Sequence, residues 1–576
     1  MRNGEIAEAF EELASLYELD GAVVYRVVAY RNAAKAIREA GVSVAEFAKH
    51  GRADELAGVG KTIAEKIDAL LETGSIPSAD KLKQRIPAGL VEITRIPGLG
   101  PKRAKLLHDQ IGVDSIEELR EAAEDGRLKD VKGFGKKAEE NVLAAFAAGA
   151  AGTPKARMLL SKALPVAEEL VEALREHPNA IRVELAGSAR RLSDTVKDVD
   201  IVAASDDPAA LAEVFAGLGA LDSVSTFGEA GAKAVTHSGL PVDLRIVPEE
   251  AFGNLLQHFT GSGRHNEALR TESVRRGLHV SEYGISDDES GESEAYGTEA
   301  EVYERLGMQY IPPELRENRG ELQAARENRL PALIELADMR GDLHMHTTLS
   351  DGHASVEEMA GAARELGYEY VAMTDHSASH GFGNDVQPDA LLRRLEEIRD
   401  LPDLGIQVLA GTETNVLPDG SLDYADDVLE QLDWVVASLH TSFRLSEQEQ
   451  TERMMRAMEH PLVDVIGHPT GRLIERREAY SLDLDRVIAM AAETGTFLEI
   501  NANPDRRDLN DVYARAAAEA GVTLLIDSDA HWPRTLQNMR YGVATARRAW
   551  LTKEQVGNTR PWAELDKLRK RGRNGA

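Results

Sequence analysis

The arrangement of apolar and polar positions changes character twice along the 576 residues. Up to about residue 150, apolar side chains recur at helical spacing in Ala-rich stretches such as RNAAKAIREA, broken by glycine turns, which predicts a string of short helices. From about residue 181 the runs IRVELAGS, DVDIVAAS and PVDLRIV read as strands, with a helical segment near Pro208 to Leu218 between them, so a mixed sheet is expected. A helical stretch from about 251 to 275 and the acidic SDDESGESEAYG follow, and the charged positions from about 312 to 340 predict a linker. After Gly341 the strands YVAMTD, QVLAGTE, DWVVASLH, VDVIGH, FLEIN and VTLLIDSD alternate with helical stretches, a βα repeat of barrel type.

The length corresponds to roughly three to five domains. With 43% hydrophobic and 29% charged residues the chain reads as soluble. It holds no apolar run near the roughly 20 residues that span a bilayer, so a membrane partner is excluded. The start, MRNGEIAEAFEEL, lacks the pattern of a signal peptide and places the chain in the cytoplasm. Cysteine is absent, so a metal site has to be built from His and carboxylates. A net charge of −31 (67 Lys and Arg against 98 Asp and Glu) argues at face value against nucleic acid. The first 110 residues, however, carry 16 of each sign and are neutral, so the excess lies downstream.

In that neutral region LAGVGKTIAEKI (56–67), IPGLGPKRAKLL (96–107) and VKGFGKKAEENV (131–142) each place apolar-Gly-apolar-Gly directly before a helix bearing Lys or Arg. Gly58, Gly60, Gly98, Gly100, Gly133 and Gly135 let the backbone come close to a ligand, and helix N-terminal amides point outward to receive phosphate. One copy is equally well a glycine-capped helical hairpin; three copies favour DNA-backbone binding without base readout. They resemble helix-hairpin-helix motifs.

Asp198 and Asp200 are two apart in DVDIVAAS, so on a strand both project from one face, and Asp243 of PVDLRIV lies in a second strand that could run alongside. Three carboxylates on one face repel one another unless divalent cations neutralise them, and paired cations serve in-line phosphoryl transfer. For D-x-D alone, aspartates in solvated turns would be the commoner explanation. Upstream, VELAGSARR supplies a strand, a Gly-Ser turn and two arginines suited to a triphosphate.

Together GSARRLSDTVKDVDIV, VDLR and HFTGSGRHNEALR resemble the family X DNA polymerases, relatives of DNA polymerase beta, across about residues 20 to 320. The resemblance implies that Asp198 and Asp200 bind both metals and that Asp243 joins the catalytic one and helps activate the primer 3′-hydroxyl. It puts Ser188, Arg191 and Gly261 at nucleotide contacts, His258 and Phe259 against the incoming sugar, Asn266 at the base edge and Arg270 on the template. AYRNAAKAI and GVGKTIAEKI match the family's 5′-phosphate and lyase domain, with Arg26 and Tyr30 in the phosphate pocket and Lys66 at the Schiff-base position; a lysine on a helix is otherwise a solvated charge. Leu192 and Lys197 stand where the family has glycines, and Val196 where a hydroxyl often meets phosphate, departures that bear on nucleotide affinity.

Nine of the 16 histidines follow residue 340. DLHMHTTLSDG supplies His344, His346 and Asp351, AMTDHS supplies His376, and LAGTETN supplies Glu413. ASLH, IGHP and DSDAH add His440, His468, Asp529 and His531. These lie at or just beyond strand ends, where barrel enzymes assemble their sites, and such ligand types suit Zn, Mn or Fe. His353, His380 and His460 are read as structural. The run resembles the polymerase and histidinol phosphatase (PHP) domain, a distorted (β/α)7 barrel, with every metal position filled. By resemblance His344, His346, Glu413 and Asp529 hold one metal, Glu413 bridges to a second with His440 and His468, and Asp351, His376 and His531 hold a third; water of lowered pKa attacks phosphorus.

The expected fold class is thus multidomain, α+β and α/β. The expected divisions are 1–85, an 8-kDa-like helical domain; 86–150, a fingers-type helical subdomain; 151–250, a nucleotidyltransferase palm; 251–320, a thumb-type subdomain; 321–340, a linker; and 341–576, the PHP domain. The expected function is a gap-filling repair polymerase fused to a 3′ to 5′ exonuclease or 3′-end phosphoesterase. It would use Mg²⁺ or Mn²⁺ in the polymerase site and up to three Mn²⁺, Zn²⁺ or Fe ions in the barrel. Its partners would be gapped or nicked DNA and dNTPs, and it would act as a nucleoid-associated monomer. Abasic-site cleavage stays open, as do two rivals: a PHP nuclease or phosphatase whose N-terminal half only binds DNA, and a non-catalytic DNA-end scaffold.

Overall fold

A computed structural model describes all residues except 57, 95, 97, 98, 132, 133, 135–138, 140, 141, 144, 145, 147–156, 382–384 and 572–576. The chain divides into two compact units: residues 1–158, 162–185 and 197–252, and residues 159–161, 186–196 and 253–576.

The first unit opens with helices α1 (Asn3–Leu19), α2 (Val24–Glu39), α3 (Val44–Lys49), α4 (Lys61–Thr73), α5 (Pro77–Lys83), α6 (Ala88–Ile93), α7 (Pro101–Ile111) and α8 (Ile116–Glu124). In α1, Ile6, Phe10, Leu13 and Ala14 are buried at helical spacing, which makes one stripe of the shared core. Asn3 pins its start: the side-chain oxygen accepts from Val44 N at 2.9 Å and the amide donates to the carbonyls of Ala40 and Val42. Helices α4 and α7 end at Gly74 and Gly112, both left-handed, which releases the chain after each turn.

A five-stranded sheet completes this unit, in the order β1-β2-β5-β4-β3, where β1 is Ala180–Leu185, β2 Val199–Ser205, β3 Leu221–Gly228, β4 Gly231–Thr236 and β5 Pro241–Val247. Strands β2 and β5 pair in parallel and the others antiparallel, with helix α9 (Pro208–Ala216) following β2.

In the second unit, residues 186–196 form a short helical turn at Gly187–Arg190 and a two-residue strand at Thr195–Val196. Helices α10 (Phe252–Thr260), α11 (Gly263–Val274) and α12 (Glu299–Arg305) surround a small core that includes Leu269, Tyr303 and Ile311. Residues 321–326, within the stretch read as a linker, form helix α13 (Glu321–Arg326), in which Glu321, Leu322 and Ala325 are buried. The charges there read as solvated because sequence spacing does not reveal that Glu321 is paired with buried His265.

The rest is a seven-stranded parallel barrel in sequential order: β6 (Gly341–Met345), β7 (Tyr370–Met373), β8 (Gln407–Asn415), β9 (Trp434–Ser438), β10 (Val465–Ile466), β11 (Phe497–Asn501) and β12 (Leu524–Asp527). A bridge from Met345 to Ala530 joins the first strand to the end of the last. Helices cover the outside, so β6, β9 and β11 are buried at every position. Among the described residues, no helix is long and apolar enough to cross a membrane.

One position in the five-stranded sheet depends on glycine for its conformation. Gly231, opposite Gly228 at the β3–β4 turn, has φ +125°, and a Cβ there would lie 1.9 Å from the Leu244 carbonyl oxygen. Gly231→Ala should therefore destabilise the first unit by about 2 kcal/mol, read as a fall of about 4–8 °C in its apparent Tm. An unchanged melting curve would contradict this packing.

Candidate active sites

The barrel mouth is built around Glu413, a fully buried residue of β8. Its Oε2 lies 3.4 Å from His344 Nε2, 3.6 Å from His346 Nε2 and 2.8 Å from His376 Nδ1. Its Oε1 lies 3.2 Å from His440 Nε2 and 2.8 Å from His468 Nε2. Asp529 Oδ1 approaches His346 Nε2 at 3.2 Å and His344 Nε2 at 3.9 Å, and Asp351 Oδ1 approaches His531 Nε2 at 3.3 Å and His376 Nε2 at 3.6 Å. All nine barrel residues singled out in the sequence thus meet at one end of the strands.

Three sets among them place their donor atoms within 4.8 Å of one another: His346, Asp351, His376 and His531; His344, His346 and Asp529; and His376, Glu413 and His440. His346 and His376 each take part in two sets, so the grouping is more interlocked than three separate ligand sets. His344 Nε2, both ring nitrogens of His346 and Glu413 Oε2 are buried without a hydrogen-bond partner. Buried polar atoms of this kind are rare unless an ion or water satisfies them, and an imidazole and carboxylate set suits divalent cations.

Electrostatics follow from the crowding. Burial opposes the charge on Glu413, yet His440, His344 and His376 hold its carboxyl well below the usual range. Asp529 is likewise held low against burial by His344 and His346. Burial, with His531 and His376 beside it, pushes His346 down to about 3, and burial takes His440 down to about 4. Against the same burial, Glu499, Glu413 and Asp529 raise His344 well above its ordinary value, and Asp351 and Asp529 hold His531 at about 9.

A supporting layer fixes these groups. Glu499 of β11 accepts from His344 Nδ1 at 2.6 Å and from the His468 backbone amide, so one carboxylate orients two neighbouring imidazoles. Asn501 donates to Glu499 and to Asp529 Oδ2, and Asn415 Oδ1 receives the His440 amide. Asp375 collects the amides and hydroxyls of Thr347 and Ser350, shaping the loop to Asp351. Gly467 is required for close approach: a Cβ there would meet Ser438 Oγ at 2.5 Å. His468 (φ +28°) and Asp529 (φ +53°) occupy left-handed backbone, strain of the sort held at functional sites.

The sequence reading missed Glu499; its only signal was a carboxylate inside the apolar run FLEIN. His380, read as structural, is buried and stacks on His376 with centroids 4.5 Å apart. His353 stacks on Trp532 and His460 pairs with Asp426.

In the palm, strand register sets Asp200 beside Asp243, and Asp198 immediately precedes β2. Asp243 is engaged by Arg245 Nε at 3.1 Å and Lys233 Nζ at 3.4 Å. The three carboxylates do not form one of the tight donor sets found among the described residues, all of which belong to the barrel.

In the second unit, Arg191 reaches Glu317 at 3.1 Å and donates to the Thr260 carbonyl, while Ser188 is half-buried with its carbonyl accepting from Ser193 N. The rings of His258 and Phe259 lie 5.6 Å apart, and burial lowers the His258 pKa. Asn266 donates to the His258 carbonyl and accepts from Gln257, Gly261 has φ +67°, and Arg270 is exposed.

In the helical region Gly58 is left-handed, with a Cβ there falling 3.1 Å from Ala36 Cβ, and Gly60 and Gly100 are the N-caps of α4 and α7. Gly98, Gly133 and Gly135 lie outside the described residues. Tyr30 stacks on Tyr17 at 5.3 Å, with the Arg26 guanidinium over the Tyr17 ring, and Lys66 is half-buried on α4.

Both halves are thus equipped for phosphate esters: a palm whose strand register pairs two aspartates, and a barrel mouth suited to several divalent cations. That combination fits a nucleotidyltransferase joined to a metal-dependent phosphoesterase. Family models match accordingly: helix-hairpin-helix domain at 1–76, SAM-like helix-hairpin-helix tandem at 90–148, DNA polymerase beta thumb at 255–317 and PHP domain at 342–503. The chain is 38% identical over 575 residues to the DNA polymerase/3′-5′ exonuclease PolX of Bacillus subtilis, covering 99% of this chain and 100% of that one. It is 32% identical over 232 residues to a probable phosphatase of Thermoanaerobacter, covering 38% of this chain and 89% of that protein. The chain belongs to the family X DNA polymerases that carry a C-terminal PHP domain.

Two outcomes follow for the barrel. Glu499→Gln should keep the fold but weaken metal affinity about 10- to 100-fold, measured by chelation and titration; unchanged affinity would remove Glu499 from the supporting layer. With its pKa raised to about 9, His531 is expected to be protonated at pH 7 in the metal-free protein, and an imidazolium cannot ligate. Metal loading at pH 7 should therefore release a proton from His531, and apparent affinity should rise as the pH approaches about 9. Calorimetry in buffers of different ionisation enthalpy reads this, and loading without proton release would contradict it.

Proposed function

We propose that the chain is a DNA repair polymerase that fills short gaps by template-directed nucleotidyl transfer and trims 3′ ends with its PHP barrel. The observation that carries this reading is the full-length match to a polymerase/3′-5′ exonuclease, joined to a barrel mouth in which every candidate ligand converges.

In this reading Asp198, Asp200 and Asp243 would hold Mg²⁺ or Mn²⁺ in the palm, where Lys233 and Arg245 lie beside Asp243. Ser188 and Arg191 hold the triphosphate, His258, Phe259 and Gly261 the sugar side, Asn266 the base edge and Arg270 the template. In the barrel the nine His and carboxylate residues hold up to three Mn²⁺, Zn²⁺ or Fe ions. Bound divalent ions supply charge that polarises the phosphoryl group and acidifies water. Glu499 keeps Nε2 of His344 directed at the site, and Asn501 steadies Asp529.

Residues 1–85 and 86–150 serve as helical DNA-binding regions, 151–250 as palm, 251–320 as thumb and 341–576 as the phosphoesterase. Gly58, Gly60 and Gly100, with Gly98, Gly133 and Gly135, present amides to the DNA backbone. Arg26 and Tyr30 receive a 5′-phosphate, and Lys66 is placed for Schiff-base lyase chemistry. The substrates are gapped or nicked DNA and dNTPs, and the protein works as a monomer on the chromosome in the cytoplasm. The probable phosphatases that match the barrel favour 3′-phosphate removal as a second activity of the same site.

On a labelled gapped duplex, Asp243→Ala should abolish extension and leave 3′ shortening. His344→Ala or Asp529→Ala should remove shortening and leave extension. After chelation, Mn²⁺ should restore shortening better than Mg²⁺, because imidazole favours the softer ion. Wild-type extension by the Asp243 variant, or full shortening by a folded, metal-depleted barrel variant, would overturn the assignment.

A further inference from the structure

The triphosphate loop is held by arginines of the phosphoesterase barrel. Arg507, 1% exposed, lies between β11 and the helix Asp511–Glu519. Its Nη2 donates to the Leu192 carbonyl at 3.0 Å, its Nη1 lies 3.2 Å from Asp194 Oδ1, and its Nε is fixed by Thr545 Oγ1 at 2.9 Å. Arg472 pairs with the other oxygen of Asp194 at 2.9 Å and donates to the Arg507 carbonyl. Arg548 donates to the Arg191 carbonyl at 2.9 Å and pairs with Glu317 Oε1 at 3.0 Å, the oxygen that also holds Arg191 Nε. Buried charge-assisted bonds of this kind persist only in a fixed geometry.

These contacts account for the departure at position 192. Leu192 has φ +55°, a backbone state that the family's glycine adopts freely and that a leucine resists. Here the carbonyls of Arg191 and Leu192 are both gripped by barrel guanidinium groups, so the conformation is imposed from outside the loop. In the chain Arg507 is flanked by Arg506, whose Nε lies 3.6 Å from Asp529 Oδ2, and Asp508, which accepts from Thr470 N and Oγ1, two residues past His468.

We propose that Arg507, with Arg472 and Arg548, is a positioning residue for nucleotide addition, so that the PHP barrel forms a structural part of the dNTP site. This rests on the reading of residues 187–196 as the triphosphate loop.

The test uses the full chain with Asp194→Asn and Arg507→Met, measuring dNTP KM and kcat in single-nucleotide gap filling, 3′ shortening in the same preparations, and amide hydrogen exchange over 188–196. KM should rise about 10- to 100-fold with kcat little changed, exchange at Leu192 and Ser193 should speed up, and Asp194→Glu should recover much of the KM. Shortening by Asp194→Asn should stay at wild-type rate, because that side chain lies outside the metal cluster. If Arg507→Met fails to fold, the partly exposed Asp194 decides. An unchanged KM in a folded variant overturns the proposal, whatever the exchange shows. A wild-type chain unable to extend a gap would instead strike the polymerase reading.

Discussion

The barrel is organised by one electrostatic constraint: the carboxylate of Glu413, removed from water, faces five imidazoles. A lone buried carboxylate is costly, and a lone buried imidazolium is too, so neither half of this cluster is stable in that place without the other. The seven parallel strands make the arrangement possible by aiming successive C-terminal ends at one point. Glu499, Asn501, Asn415 and Asp375 then tie down the rings and loops that the strands deliver. Crowding pushes the histidines apart, with burial driving His346 and His440 down and the neighbouring carboxylates driving His344 and His531 up.

The palm solves a related problem differently. Asp243 is half-buried and meets its charge through Arg245 and Lys233, neighbours on the same sheet. Its charge needs no deep enclosure. The helical region relies even less on charge. Gly60 and Gly100 cap the starts of α4 and α7, and helix-start amides can receive phosphate without much net positive charge. An acidic chain with a neutral N-terminal region is therefore compatible with a DNA substrate.

The two chemistries also share structure. Residues 186–196, which the sequence assigns to the palm, cluster with the thumb helices and the barrel. Arg190 pairs with Glu299, which also holds the buried Arg316, and Arg191 meets Glu317. The loop's shape is thus specified by partners more than 60 residues away as well as by its own motif. Leu192 keeps its φ of +55° while Arg507 and Arg548 hold its carbonyl and that of Arg191.

Much of this was readable from the amino-acid order alone. The glycine turns, the D-x-D strand and the nine barrel residues are local patterns: strand ends, helix starts and spacings of two, whose geometry follows from a few backbone angles. The sequence accordingly determined the fold class and the chemistry at each end of the chain. Tertiary structure decided which donors share a cation, that Glu499 orients His344 from 155 positions away, and that Glu321 is buried against His265 rather than solvated in a linker. It also decided that Arg507 grips Leu192 across 315 positions. Such contacts depend on how strands close and domains pack, and burial converts an ordinary Glu or Arg into a specific partner only after that closure has removed the water.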